Sequence, residues 1–212
     1  MDNEKEGAMT KALSASLRAR ARAVARIAAA NPFTDAWTAL EREALGDAFS
    51  PRERPWSLGA EADARNHNVE ALEAFARELT ERLRAALEAG VASDEDAALY
   101  REVALFDLYN RAVPVLDELV QHDVPRKVSA YPPLRAAFDA AFDVDARARP
   151  AFGAAHWFAG SFQLRRAFHH TFRFFVGASA ASARLRGAVW EAIFTADAAR
   201  YRRALFDRMK DV

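Results

Sequence analysis

From Val69 to Gly90 the chain reads VEALEAFARELTERLRAALEAG, and Leu72, Phe75, Leu79, Leu83 and Leu87 recur at intervals of three and four residues with charge between them. That spacing puts the five side chains on one side of an α-helix; a half-buried strand needs a period of two. Gly90 supplies the stop. Helical spacing recurs through most of the sequence, with no alternating β-branched run and no Asn-Gly or Asp-Gly hairpin pair. The expected fold is therefore all-α: a multi-helix bundle of roughly seven to eight helices with a long central aromatic helix, neighbours packing antiparallel through short links.

Further helices follow from the same reasoning. LSASLRARARAVARIAAA, residues 13–30, has high helix propensity and is stopped by Asn31-Pro32-Phe33; its thin apolar face predicts a peripheral or partly frayed helix. Trp37, Leu40, Ala44 and Leu45 make the next face, closed near Gly46. Residues 50–68, with two prolines and no period, read as an extended loop. Ser93 followed by Asp94-Glu95-Asp96 caps a helix carrying Leu99, Val103, Phe106, Val113 and Leu116, and Pro114 should kink it near Asn110. Residues 122–133 read as a second loop, LRAAFDAAFDV as a short amphipathic helix and DARARP as a turn. A long aromatic helix then runs to Val176, Gly177 stops it, a helix follows from about Ser179 to Phe194, and Thr195 opens a last one.

Half of the residues are hydrophobic, which suffices for a sizeable core. Formal net charge is zero, so no whole-chain attraction to nucleic acid or anionic lipid is indicated. The charge is unevenly spread: Arg165 to Val212 holds ten Lys/Arg against four Asp/Glu, leaving that part at +6 and the remainder at −6. The absence of cysteine excludes disulfides and thiolate chemistry. No apolar run has the length of a membrane span and the acidic start MDNEKEG is unlike a secretory signal, so a soluble cytoplasmic protein is expected.

Motifs for catalysis are not found. There is no Gly-x-Ser-x-Gly elbow, no glycine precedes a lysine as a P-loop requires, and no Gly-x-Gly-x-x-Gly turn occurs. His169 and His170 are adjacent, which on a helix separates their side chains by roughly 100°, and no His-x-x-x-His pair exists. They read as structural or hydrogen-bonding histidines; no metal, cofactor or catalytic residue is expected.

The aromatic helix does carry one polar stripe. Gln163, Arg166, His170 and Arg173 follow one another at helical spacing among Phe158, Phe162, Phe168, Phe172 and Phe175. A helix apolar over most of its circumference should be buried, so two arginines on it must reach water, neighbouring carboxylates or an anionic ligand. These four residues are the candidate ligand site. In the next helix Leu185, Val189, Trp190, Ile193 and Phe194 suit the core while Arg184 and Arg186 can project outward. On the last helix Arg202 and Arg203 form a basic side, read as a solvated or docking face.

RRAFHHTFRFFVGASAASARLRGAVWEAIFTADAARYRRALFDRM resembles the segment that precedes the AAA+ ATPase domain in a subgroup of proteobacterial sigma-54-dependent transcriptional activators of the Fis type. The resemblance is carried by Arg166, Phe168, His169, His170, Phe172, Arg173, Val176, Gly177 and Ser179, then by Ala183, Arg184, Leu185, Arg186, Trp190, Ile193, Phe194 and Thr195, and then by Arg200, Tyr201, Arg203, Leu205, Arg208 and Met209. It covers about a fifth of the chain, and NPF, ALG and NHNVE are similar too. Ala196 and Ala198 depart from the His and Met usual after the threonine. The resemblance implies a non-enzymatic regulatory region lacking its ATPase and DNA-binding domains. Residues 1–178 would be a helical sensor and 179–212 a connector, with Gly177, Arg184, Arg186, Trp190, Arg202 and Arg203 as coupling residues. Implied partners are the AAA+ domain of the same parent chain, a small-molecule or protein effector and further copies of the chain, with no DNA or membrane contact. A stand-alone helical ligand-binding protein and an oligomerisation or scaffold module are the alternatives.

Overall fold

The computed structural model describes residues 12–51, 67–121, 129–177 and 179–194. Among these residues there are seven α-helices and no strand: α1 Ala15–Ile27, α2 Asp35–Leu45, α3 His67–Glu88, α4 Asp94–Gln121, α5 Tyr131–Phe142, α6 Ala154–Phe174 and α7 Ala180–Phe194. The all-α multi-helix bundle is the architecture expected. The last helix proposed from Thr195, with Arg202 and Arg203, and most of both proposed loops lie outside the described residues.

The longest helix, α4, holds the middle, packed by α1, α3, α5 and α6. Its buried side chains do not keep to one stripe; Leu99, Tyr100, Val103, Ala104, Leu105, Leu108, Ala112 and Leu116 run around it. The aromatic helix α6 packs on α4 and also on α5 and α7. The leucine face of α3 packs in the bundle with α4, α2 and α1 as its period requires, with Leu72, Leu79 and Leu83 at most 1% exposed. Gly90 closes α3 at φ 70°. The Val91 N–H reaches Ala86 O and the Gly90 N–H reaches Leu87 O, both at 3.0 Å, the paired bonds of a Schellman end.

Helix α4 begins with a reciprocal box. The Asp96 N–H donates to Ser93 Oγ at 3.1 Å and the Ser93 N–H donates to Asp96 Oδ2 at 3.0 Å. Asp96 also receives Arg18 of α1 at 2.7 Å, while Arg18 and Arg22 both hold Glu95. The expectation that α1 is peripheral or frayed is therefore corrected. Its alanines allow close approach, Ala21, Ala23 and Val24 are fully buried, and its arginines bind neighbouring elements. Arg20 donates to Ala44 O at 2.7 Å, capping α2, and lies 4.1 Å from the Phe75 ring centroid.

One further boundary differs from expectation. Residues 131–133 belong to α5 rather than a loop, because Pro132 and Pro133 fall in the first turn, where a missing N–H costs nothing. Pro114 lies inside α4, as expected. The Asn110 side chain donates to Phe106 O at 3.0 Å beside that break in the hydrogen-bond ladder. The expected turn at DARARP is a 3-10 turn, Ala146–Ala148, capped by Asp145, which accepts the Arg147 N–H at 2.8 Å.

Two nearly buried acids on α4 behave oppositely. Asp96 is 3% exposed; burial alone would raise its pKa, but the Ser93 hydrogen bonds and Arg18 together hold it below the ordinary aspartate value. Asp107 is 4% exposed, and burial pushes its pKa up despite Arg111 and Arg77. The Asp96 carboxylate thus contributes stability above the ordinary range, lost as pH falls through its lowered pKa, whereas ionised Asp107 costs stability above its raised pKa. Asp96→Asn is expected to lower stability by about 1–3 kcal/mol at neutral pH, the deficit shrinking below about pH 4. Asp107→Asn should cost less at neutral pH. Urea titrations at several pH values measure both.

Candidate functional site

Two hydrophobic clusters are separated along α6. The large one fills the bundle around α4; the small one consists of buried Phe33, Trp190 and Phe194, with Leu164, Ala167, Phe168, Phe172 and Ile193 against them. Phe33 lies 5.3 Å from Phe172 and 5.9 Å, edge-on, from Trp190, while Phe168 and Phe172 are 4.4 Å apart. Such pairings add roughly 0.5–1.5 kcal/mol each beyond area burial.

The Asn31-Pro32-Phe33 element does more than stop α1. Asn31 Oδ1 accepts the Phe33 N–H at 3.1 Å, and its amide donates to Gly187 O at 3.0 Å and Glu191 at 3.2 Å, so the turn holds α7. Nothing in helical periodicity marks this contact, which joins residues 156 and 160 positions apart.

The α6–α7 corner turns at Gly177, whose φ of 147° suits glycine. A Cβ there would lie 2.5 Å from Ser182 Oγ. Ser179 opens α7 by accepting the Ser182 N–H at 3.1 Å. The corner is closed by Arg186, which donates from one guanidinium nitrogen to Phe175 O at 2.6 Å and to Gly177 O at 3.1 Å, with its guanidinium carbon 5.9 Å from the Phe33 and Phe172 rings. These carbonyls lie at and just past the C-cap of α6, next to its negative end, a natural seat for a cation. Burial pulls the Arg186 pKa below its ordinary value.

The outward projection expected for Arg186 is thus corrected: it is fully buried, while Leu185, assigned to the core, is 50% exposed. The buried stripe of α7 is Ala183, Arg186, Gly187, Trp190 and Phe194. The carbonyls at the end of α6, together with the Phe33 and Phe172 rings, decide which side faces inward. Arg184 is exposed as expected, and Trp190 is buried.

A groove of about 220 Å³ runs between one stripe of α6 and one of α7. Gln163, Arg166, Ala167, His170, Thr171 and Phe174 line it from α6, Val189, Ile193 and Phe194 from α7, and Phe175 from the corner. Three of the four candidate ligand residues, Gln163, Arg166 and His170, are brought together there. Arg173 is exposed and not on its wall. Val189, Ile193 and Phe194 complete the site, though spacing assigns them only to a core. The stripe itself is not buried as a wholly apolar helix would be: Arg166 is exposed, and Phe174 is 69% exposed and stacks on His170 at 5.8 Å.

The adjacent Arg165 is engaged elsewhere. It forks onto Asp117 of α4 at 2.5 and 2.7 Å; burial alone would lower its pKa, but Asp117 and Tyr109 together raise it. Among the described residues no acidic side chain pairs with Arg166 or lines the groove, and no group of histidine and acidic side chains is arranged to hold a metal. A second, apolar cavity of about 130 Å³ lies on the other side of Phe194, between Trp37, Phe106, Tyr109, Trp157, Phe168 and Trp190. Phe194 is a wall of both spaces.

No protein-family model, curated protein or solved structure matches this chain. No helix among the described residues is long and apolar enough to cross a membrane.

Arg186→Met removes the donors to Phe175 O and Gly177 O and is expected to cost about 1–3 kcal/mol, with hydrogen exchange accelerating in α7 more than in α3. Gly177→Ala should cost about 1–3 kcal/mol, and adding Ser182→Gly should recover the part due to collision but not that due to φ.

Proposed function

We propose that the chain is a non-enzymatic, signal-receiving domain of the sigma-54-dependent activator type, in which a ligand in the α6–α7 groove sets the packing of α7. The observation that carries this reading is the convergence of Gln163, Arg166 and His170 of α6 with Val189, Ile193 and Phe194 of α7 around one space. A ligand seated there touches both helices, so its affinity depends on how they pack. That is the requirement for coupling, for which roughly 1–3 kcal/mol between two packings suffices. The resemblance of residues 165–209 to the segment ahead of an AAA+ ATPase supplies the direction: α7 leads toward the output domain.

On this reading ATP hydrolysis belongs to the AAA+ domain of the parent chain, DNA contact belongs to a third domain, and the protein is cytoplasmic. Arg186 and Gly177 form the joint, Trp190 anchors α7 on Phe33, and Arg184, Arg202 and Arg203 are left for contact with the output domain. Sequencing the native locus beyond the Val212 codon tests the class. An in-frame Gly-rich phosphate loop ending in Lys-Ser/Thr or Lys-Glu is the expected result. A stop codon within a few codons overturns the regulatory reading and leaves a stand-alone ligand-binding protein built on the same groove.

A further inference from the structure

We infer that the α6–α7 groove takes a small monocarboxylate with an apolar body, the carboxylate meeting Arg166 and His170 and the apolar end lying against α7. This rests on the reading of the groove as the receiving site and names the chemical class it receives. Arg166 and His170 stand one turn apart, so their Cβ atoms are about 5–6 Å from one another on the same face. One guanidinium presents a planar fork that matches the two oxygens of a carboxylate. The imidazole sits beside that position, and the Gln163 amide lies one turn on the other side of Arg166.

The rest of the lining excludes competing chemistries. Val189, Ile193 and Phe194 give an apolar wall, which does not suit a sugar or a polyamine. Among the described residues no carboxylate lines the groove, which disfavours a cationic ligand. Among the described residues no second arginine or lysine is on the wall, since Arg165 is held by Asp117 and Arg173 is exposed and off the lining, so a dicarboxylate or phosphate dianion would leave charge unmatched. At about 220 Å³ the space is smaller than the roughly 300–1,000 Å³ of pockets for drug-sized ligands, which limits the body to a short chain or one ring.

The full chain is titrated calorimetrically with benzoate and hexanoate, and with benzamide and inorganic phosphate as the uncharged and the purely ionic counterparts. Benzoate is expected to bind about tenfold or more tightly than benzamide, and phosphate should not displace it. Arg166→Ala should weaken benzoate by a similar factor without changing benzamide; because Arg166 is exposed, the variant should keep its circular dichroism and urea midpoint. Arg166→Lys, which keeps charge but not the fork, should fall between. Ile193→Trp should block all organic probes. Benzamide binding as tightly as benzoate, an unaffected Arg166→Ala variant, displacement by phosphate, or no binding by either acid at about 10 mM would each overturn the assignment. Hydrogen exchange of α7 separates this from the regulatory reading. Selective benzoate binding with unchanged α7 protection keeps the ligand class and defeats regulation; equal binding of benzamide with altered α7 protection does the reverse.

Discussion

The structure depends on the burial of α4 over most of its circumference. A helix of 28 residues that presents apolar side chains in several directions has no single preferred face and must be enclosed. Helices α1, α3, α5 and α6 enclose it. Each brings polar groups that must then be matched: Arg18 meets Asp96 at the start of α4, Tyr100 donates to Ala141 O at 2.7 Å at the end of α5, and Arg165 forks onto Asp117 near the end of α4. These contacts pin the surrounding helices to α4 or to one another, while the apolar interior supplies the bulk of the driving force.

What the sequence conveys about the fold follows from this division. The α3 leucines, the Ser93 cap and the Gly90 stop are local features, governed by helix period and terminal hydrogen bonding, and they lie where those rules put them. The α1 helix was harder to read because alanine adds little to an apolar stripe and yet permits the closest packing. The prolines of α5 can mark either a loop or a helical first turn, and their position relative to the following apolar residues decides between them. Arg186 is misread by any scheme that assigns charged side chains outward; only the folded chain shows that the carbonyls of Phe175 and Gly177 lie within its reach.

The site was partly legible for a similar reason. Gln163, Arg166 and His170 fall on one stripe by arithmetic alone, and periodicity can group them. It cannot say which helix lies opposite, so Val189, Ile193 and Phe194 enter only with the corner at Gly177, and Arg173, one turn further on, leaves the group because the wall continues there through Thr171, Phe174 and Phe175 instead. Asn31 and Phe33 tie the opposite end of the sequence to α7, a contact that local pattern does not contain.

The Phe194 ring separates two spaces of different character, a groove with polar and apolar walls and an apolar cavity next to the main core. A partition shared by two compartments makes their volumes dependent: a displacement that enlarges one narrows the other. Were each space to hold a solute, the two affinities would be linked through Phe194, and reciprocally: whatever one occupant did to the affinity of the other would be returned by the same factor.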